Sequence, residues 1–249
     1  MFRSTLHIQR LVRTQSLRFS LAPRRHVLRT PFSTSAPSLN KPANSRKGPP
    51  PRCPQCDAPL PSPLPACPKC AFIAVPRTAT YHSLFDLPYE PNPFVVDAAR
   101  LKAQFHVAQR VCHPDVWAGK GKQDASSELS TYVNEAYQTL LDPFRRAEYL
   151  LRLHDIEVSE TDQVEDMDLL MSIMEAREEI ETAGPDDAAL VQDVARKNQE
   201  QIDKLCATIE RLVGEEDWVG VKDATVRLKY LQSIQTAARK WPTIENDEH

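Results

Sequence analysis

Residues 97–141 read DAARLKAQFHVAQRVCHPDVWAGKGKQDASSELSTYVNEAYQTLL. From Asp97 to Cys112 the apolar residues Leu101, Phe105, Ala108 and Cys112 recur at helical spacing, with Asp97 placed as an N-cap. Arg100, Lys102, His106 and Arg110 occupy the other faces. Then comes His113-Pro114-Asp115. Proline drives the residue before it out of the α region, so the helix stops at His113 and Pro114 fixes the turn. A second helix runs from about Ser126, with Leu129, Tyr132, Val133, Ala136, Tyr137, Leu140 and Leu141 on one stripe. Two antiparallel amphipathic helices joined by an exposed, proline-stiffened loop form a helical hairpin. On physics alone such a loop beside a basic helix is a docking surface. Reading His113 and Asp115 as a catalytic pair has less behind it, since no nucleophile lies nearby in sequence and Pro114 stiffens the pair.

Downstream of Asp155 the pattern is again helical and acidic. Three segments are legible, roughly 162–182 ended by Gly184-Pro185, 186–213 with Asp186 as N-cap and Gly214 as stop, and 215–240 closed by Pro242. Short loops between them predict a three-helix bundle. Leu190, Val194, Ile202, Leu205, Ile209 and Leu212 make the core stripe of the second; Val221, Ala224, Leu228 and Leu231 make that of the third. The first has two stripes. Leu169, Ile173, Ala176 and Ile180 form one, and Met167, Leu170, Met171 and Met174 form another on nearly the opposite side. One stripe faces the bundle; the other faces the helical hairpin, another protein or water. Tyr230 also falls off its helix's core stripe.

Upstream, composition changes. Of 21 prolines, 17 lie within residues 1–93, which leaves the remainder free to be helical. Six glycines and no long alternating Val/Ile/Thr runs point the same way, to an all-α fold behind a proline-rich front end. No internal repeat is legible. Cys53-Pro54-Gln55-Cys56 and Cys67-Pro68-Lys69-Cys70 are two C-x-x-C pairs ten residues apart. Four thiolates at about 2.3 Å satisfy a tetrahedral zinc ion and leave no open position. Disulfides, a redox C-x-x-C and iron–sulfur ligation are the alternatives. Zinc knuckles usually have Gly after the second Cys, whereas Asp57 and Ala71 stand there. Cys112 and Cys206 lie in helical segments as packing residues.

Residues 1–52 hold 11 Lys/Arg and no acid, while residues 53–249 hold 20 basic against 34 acidic residues, a net of −14. So acidic a body disfavours general nucleic-acid binding, which depends on phosphate neutralisation. Residues 53–75 offer only Lys69 against Asp57, which disfavours a zinc-dependent nucleic-acid site as well. No apolar run reaches the roughly 18–20 residues of a membrane span. Residues 1–45 are acid-free, arginine- and serine-rich and flecked with single apolar residues, the composition of a mitochondrial transit peptide. A disordered basic arm is the other reading.

The run Tyr81-His82-Ser83-Leu84-Phe85-Asp86-Leu87-Pro88, the helix ending Gln109-Arg110-Val111-Cys112, the His-Pro-Asp turn and Val133-Asn134-Glu135-Ala136-Tyr137-Gln138-Thr139-Leu140 together resemble a J-domain. Asp142-Pro143-Phe144-Arg145-Arg146-Ala147-Glu148-Tyr149-Leu150-Leu151, the helix Asp168–Glu181 and Arg227-Leu228-Lys229-Tyr230-Leu231 are similar to the HscB branch, a family of co-chaperones for iron–sulfur cluster biogenesis. The resemblance covers residues 81 to about 242. It implies a J-domain over 80–154, a C-terminal three-helix domain over 160–242, and a zinc segment over 50–75 of the kind some eukaryotic members carry. It also implies a mitochondrial matrix protein that is not itself an enzyme. His113, Pro114 and Asp115, with Arg110 in support, would dock onto a mitochondrial DnaK-type chaperone and stimulate its ATP hydrolysis. Leu170, Met174 and Tyr230 would bind an IscU-type scaffold on which clusters are built. Two departures stand out: Val116 where members often have Lys, and Met174 where Leu is commoner. A general folding J-protein whose zinc module grips unfolded clients is the alternative.

Overall fold

The computed structural model describes residues 51–159, 162 and 166–241. Residues 1–45, read above as a presequence, lie outside the described residues, as does Pro242. The regular elements are helices: α1 (Tyr81–Leu84), α2 (Ala98–Cys112), α3 (Pro114–Ala118), α4 (Gln123–Leu141), α5 (Pro143–Leu153), α6 (Met167–Thr182), α7 (Ala188–Gly214) and α8 (Trp218–Lys240). Among the described residues there is no extended strand, only two isolated β-bridges. The all-α expectation holds. None of these helices is long and apolar enough to cross a membrane.

The first lobe is the α2–α4 hairpin closed by α1 and α5. Asp97 caps α2 as expected, its Oδ1 accepting from Ala99 N–H at 2.9 Å and Arg100 N–H at 3.1 Å. The helix ends at His113, whose ψ of 129° is the extended value that a following proline imposes. Where an irregular loop was expected, the chain makes the one-turn helix α3. Pro114 sits at its first turn, where a missing N–H costs nothing, and the His113 ring Nδ1 accepts from Asp115 N–H at 3.3 Å. Trp117 anchors α3 from behind: it is buried, and its indole N–H donates to Val111 O at 2.9 Å. Helix α4 starts at Gln123, three residues before Ser126. Ser126 is instead a buried clasp, donating to Cys112 O at 2.7 Å and so satisfying a terminal carbonyl of α2. Leu129, Val133, Ala136 and Leu140 are buried, but Leu141 is exposed. At 100° per residue it lies about 120° from Leu129, off the stripe.

Two side chains, the half-buried Arg146 and the buried His82, close this lobe. The Arg146 guanidinium donates to Leu140 O at 2.8 Å, Phe94 O at 2.7 Å and Leu141 O at 3.2 Å, taking up the orphan carbonyls at the end of α4. His82 is fully buried with its Nε2 at 2.8 Å from Pro93 O. A carbonyl only accepts, so Nε2 carries a proton. Burial first, and then the Arg146 charge, hold its pKa below the ordinary histidine value. Tyr89 and Tyr149 are its ring neighbours. The unfolded chain therefore takes up this proton first as pH falls. Stability from the neutral ring is complete above about pH 6.5 and is lost below it, by at most about 1.4 kcal/mol per pH unit. His82→Gln, which keeps a donor for Pro93, is expected to flatten that part of the curve of denaturant midpoint against pH. An unchanged slope would show that His82 is not the group responsible.

The second lobe is the bundle α6–α7–α8. Its core holds Ile173 and Ile180 from α6, Val194, Ile202 and Ile209 from α7, and Val221, Leu228 and Leu231 from α8. Helix α6 starts at Met167, later than the expected 162, because Asp166 caps it by accepting from Leu169 N–H at 3.1 Å. Leu190, expected in the core, is 43% exposed and Val191 is buried in its place. Leu190 lies about 120° from Ile202 on the helix. Asp187, not Asp186, flanks α7, and its carboxylate accepts from Gly184 N–H at 2.9 Å. Gly214 is the last helical residue of α7; Glu216, at φ 58°, takes the left-handed position. A Cβ on Gly214 would lie 3.4 Å from the Asn92 side chain, close to ordinary van der Waals contact.

The lobes share α5. It packs antiparallel on α8, with Asp142 accepting from Gln232 at 3.3 Å at one end and the His154 and Trp218 rings stacked at 3.7 Å at the other. Asn92 adds a hydrogen bond to Glu210 O at 2.7 Å.

Candidate functional sites

The proline-stiffened corner stands open. His113 and Asp115 side chains are 54% and 88% exposed, with Nδ1 and Oδ2 3.6 Å apart. Pro114 is half-buried against the lobe; Val116 beside it is exposed. On the adjoining helix Lys102, His106 and Arg110 are exposed, and the Arg110 Nε donates to His106 O at 3.3 Å. The corner thus offers an acceptor, a turn and neighbouring cations on a surface fixed from beneath by Trp117 and Ser126.

The doubled stripe of α6 resolves in one direction. Ile173 and Ile180 are buried, whereas Met167, Met171 and Met174 are 67%, 55% and 70% exposed. The intramolecular alternative fails for these three. Leu170 and Tyr230 are half-buried at the edge of this face. Helices α6 and α8 run parallel, tied by Arg227 to Asp166 at 3.7 Å near one end and by the Trp241 indole to Ala183 O at 3.1 Å near the other. Tyr230 therefore sits level with Leu170.

Cys53, Cys56, Cys67 and Cys70 converge. Their sulfurs all lie within 4.8 Å of one another, Cys53 to Cys70 at 3.6 Å and Cys56 to Cys67 at 3.7 Å. A tetrahedron with arms of about 2.3 Å has edges of about 3.8 Å, so the set fits zinc. The Cys70 backbone amide draws the Cys67 thiol down to about 7, while burial pushes that of Cys70 up to about 12, so the fit to a metal rests on the geometry of the four sulfurs. Cys112 and Cys206 lie apart, and burial raises both thiols, as packing residues would have it.

Each pair is closed by the same three hydrogen bonds. Cys53 N–H donates to Ala58 O, Asp57 N–H to Cys53 O and Leu60 N–H to Pro51 O; Cys67, Ala71 and Ala74 repeat them on Phe72, Cys67 and Pro65. The segment is a 14-residue duplication that the sequence reading missed, although Pro51, Cys53, Pro54 and Cys56 recur as Pro65, Cys67, Pro68 and Cys70. The two residues that stand where knuckles usually have glycine are left-handed, Asp57 at φ 56° and Ala71 at φ 59°. Aspartate tolerates that region and alanine does so at a cost. Ala71→Gly is expected to stabilise the second knuckle by about 1 kcal/mol, seen as slower metal release to a chelator. Faster release would count against this backbone.

The duplicated segment leans on the first lobe. Leu64 and Ala66 are fully buried in that lobe's apolar cluster, and Arg77 pairs with Glu128 of α4 at 2.6 Å. Lys120, just after α3, lies over the Trp117 ring and donates to Pro68 O at 3.4 Å. No sequence signal marked Lys120; only the fold places it between corner and knuckle.

A helical hairpin with an exposed His-Pro-Asp corner, joined through a shared helix to a bundle with an open apolar face, defines a J-type co-chaperone. Residues 165–239 match the family described as the HSCB C-terminal oligomerisation domain. The chain is 34% identical over 175 residues to the iron-sulfur cluster co-chaperone protein HscB of Homo sapiens, covering 68% of this chain and 72% of that one. It is 30% identical over 172 residues to the mitochondrial J-type co-chaperone JAC1 of Saccharomyces cerevisiae, covering 66% and 89%. The crystal structure of human co-chaperone HscB superposes with a TM-score of 0.62 at 30% identity, covering 76% of this chain and 97% of that one. HscB from Vibrio cholerae gives 0.56 at 31% identity, covering 65% and 96%. The chain belongs to the HscB family of co-chaperones for iron–sulfur cluster biogenesis.

Proposed function

We propose that this protein couples a mitochondrial DnaK-type chaperone to an IscU-type iron–sulfur scaffold in the mitochondrial matrix. His113, Pro114 and Asp115, aided by Arg110, engage the ATP-bound chaperone and speed hydrolysis, while Leu170, Met174 and Tyr230 hold the scaffold. The observation that carries this reading is the openness of both surfaces on separate lobes, together with the family membership. Residues 80–154 act as the chaperone-facing unit and 160–242 as the cargo-facing unit. Hydrolysis closes the chaperone on the delivered scaffold and cluster transfer follows; no bond chemistry is assigned to this chain. Cys53, Cys56, Cys67 and Cys70 would hold one zinc ion, which supplies folding energy to residues 50–75. Residues 1–45 act as the import signal.

Steady-state ATPase of the chaperone, with and without purified scaffold, tests the coupling: each is expected to stimulate, and the two together more than either alone. The two surfaces should also separate. A Leu170→Ala, Met174→Ala, Tyr230→Ala variant is expected to lose at least about 100-fold in scaffold affinity, as removal of central interface anchors does. Its stimulation of the chaperone without scaffold should persist. If both activities fell together, or neither did, the two-surface reading would be wrong.

A further inference from the structure

The chain has four methionines, and apart from Met1 all of them lie on one face of α6, as Met167, Met171 and Met174. Among the described residues the buried core is built from Leu, Ile, Val, Phe, Trp117, Tyr149 and small residues, with no methionine. The remaining sulfurs are less available. Cys112 is fully buried and Cys206 half-buried, and the other four cysteines face one another at the candidate metal site. The three thioethers, each more than half exposed, are therefore the accessible soft sulfur of the described chain.

We propose that Met167, Met171 and Met174 form a reversible oxidation site that releases the scaffold under peroxide stress. This rests on the scaffold-binding reading of the same face. In the chemical step a thioether lone pair attacks the terminal oxygen of a hydroperoxide. The S–O bond forms as the O–O bond breaks, and the departing oxygen leaves as alcohol, or as water from hydrogen peroxide, retaining the peroxide's proton count. Sulfur loses two electrons and the peroxide gains two.

The product has a strong acceptor oxygen where the partner expects an apolar surface. Seating it without a donor costs the desolvation of a polar group, about 10-fold or more in affinity per sulfoxide. The fold does not share that cost. Helix α6 is held by Ile173 and Ile180 on its other side, and the His-Pro-Asp corner lies on the other lobe. Oxidation would thus drop the cargo and spare both stability and chaperone stimulation. Because the sulfoxides stay exposed once the scaffold leaves, a methionine sulfoxide reductase can reach them.

The test treats the full chain with hydrogen peroxide, counts oxygens gained at each methionine by peptide mass spectrometry, and titrates an IscU-type scaffold before and after. Affinity is expected to fall at least about 10-fold and to return after reductase treatment, with helicity unchanged. In a Met167→Leu, Met171→Leu, Met174→Leu variant the before-to-after ratio should stay within about 2-fold of one, whatever its starting affinity, because no sulfoxide can form there. Three sulfoxides with unchanged affinity would overturn the proposal. So would an equal loss in the leucine variant, which would move the effect to cysteine. A chain that fails to bind scaffold before any peroxide sinks the scaffold reading itself, a result told apart from the other two by the untreated titration.

Discussion

Asp115→Asn is expected to return the ATPase rate of a mitochondrial DnaK-type chaperone to its basal value, with no loss of the fold. The side chain is 88% exposed and lies 3.6 Å from the exposed His113 ring, a contact worth little to stability. The substitution keeps shape and removes charge. Asparagine can still accept one hydrogen bond, but it cannot offer a partner cation the full charge of a carboxylate, and charge-assisted bonds are roughly twice as strong as neutral ones. Denaturant midpoints should therefore move by no more than about 0.5 kcal/mol, while stimulation disappears. Stimulation that persists in a folded Asp115→Asn protein would remove the central claim of the proposed function.

Cys67→Ser is the second large effect. The duplicated knuckle has almost no core of its own: Cys53, Leu60 and Cys67 are the buried residues of its separate cluster, and two of those are candidate ligands. Structural zinc in small modules contributes on the order of 10 kcal/mol, so losing a thiolate removes most of what folds residues 51–75. Zinc bound per chain should drop from one to near zero, and amide exchange across both knuckles should become fast. The first lobe should weaken too, since Leu64 leaves its cluster, at about 2–3 kcal/mol. The α7–α8 amides should keep their protection. A Cys67→Ser protein that retains zinc and protection would show that the module folds without its metal.

Much of this was legible in the chain itself because local rules and tertiary packing agree. Asp97, His113 and Pro114 act through geometry within a few residues, so α2 begins and ends where the sequence says. The bundle core on α8 was readable for the same reason, as Val221, Ala224, Leu228 and Leu231 follow one helical stripe and are buried. The misreadings have both local and longer-range causes. Gly214 looks like a helix stop, and α7 does end on it, but the left-handed residue comes two positions later at Glu216. The loop after Pro114 became α3 because Trp117 is pinned to Val111. Leu141 and Leu190 are apolar but fall about 120° off their stripes and are exposed, whereas Leu140 and Val191 lie on them and are buried. The tetracysteine set was legible from spacing. Its docking through Leu64 and Lys120 was not, because neither residue carries a local signature.

Helix α5 belongs to both lobes at once, since the segment that completes the hairpin is also the bed on which α8 lies, fastened at Asp142 and again at His154. Such an arrangement works as a jig rather than a tether. Under the proposed function, a cargo clamped on α6 would be presented to the chaperone at one spacing and one angle, and selectivity would come from placement as well as from grip.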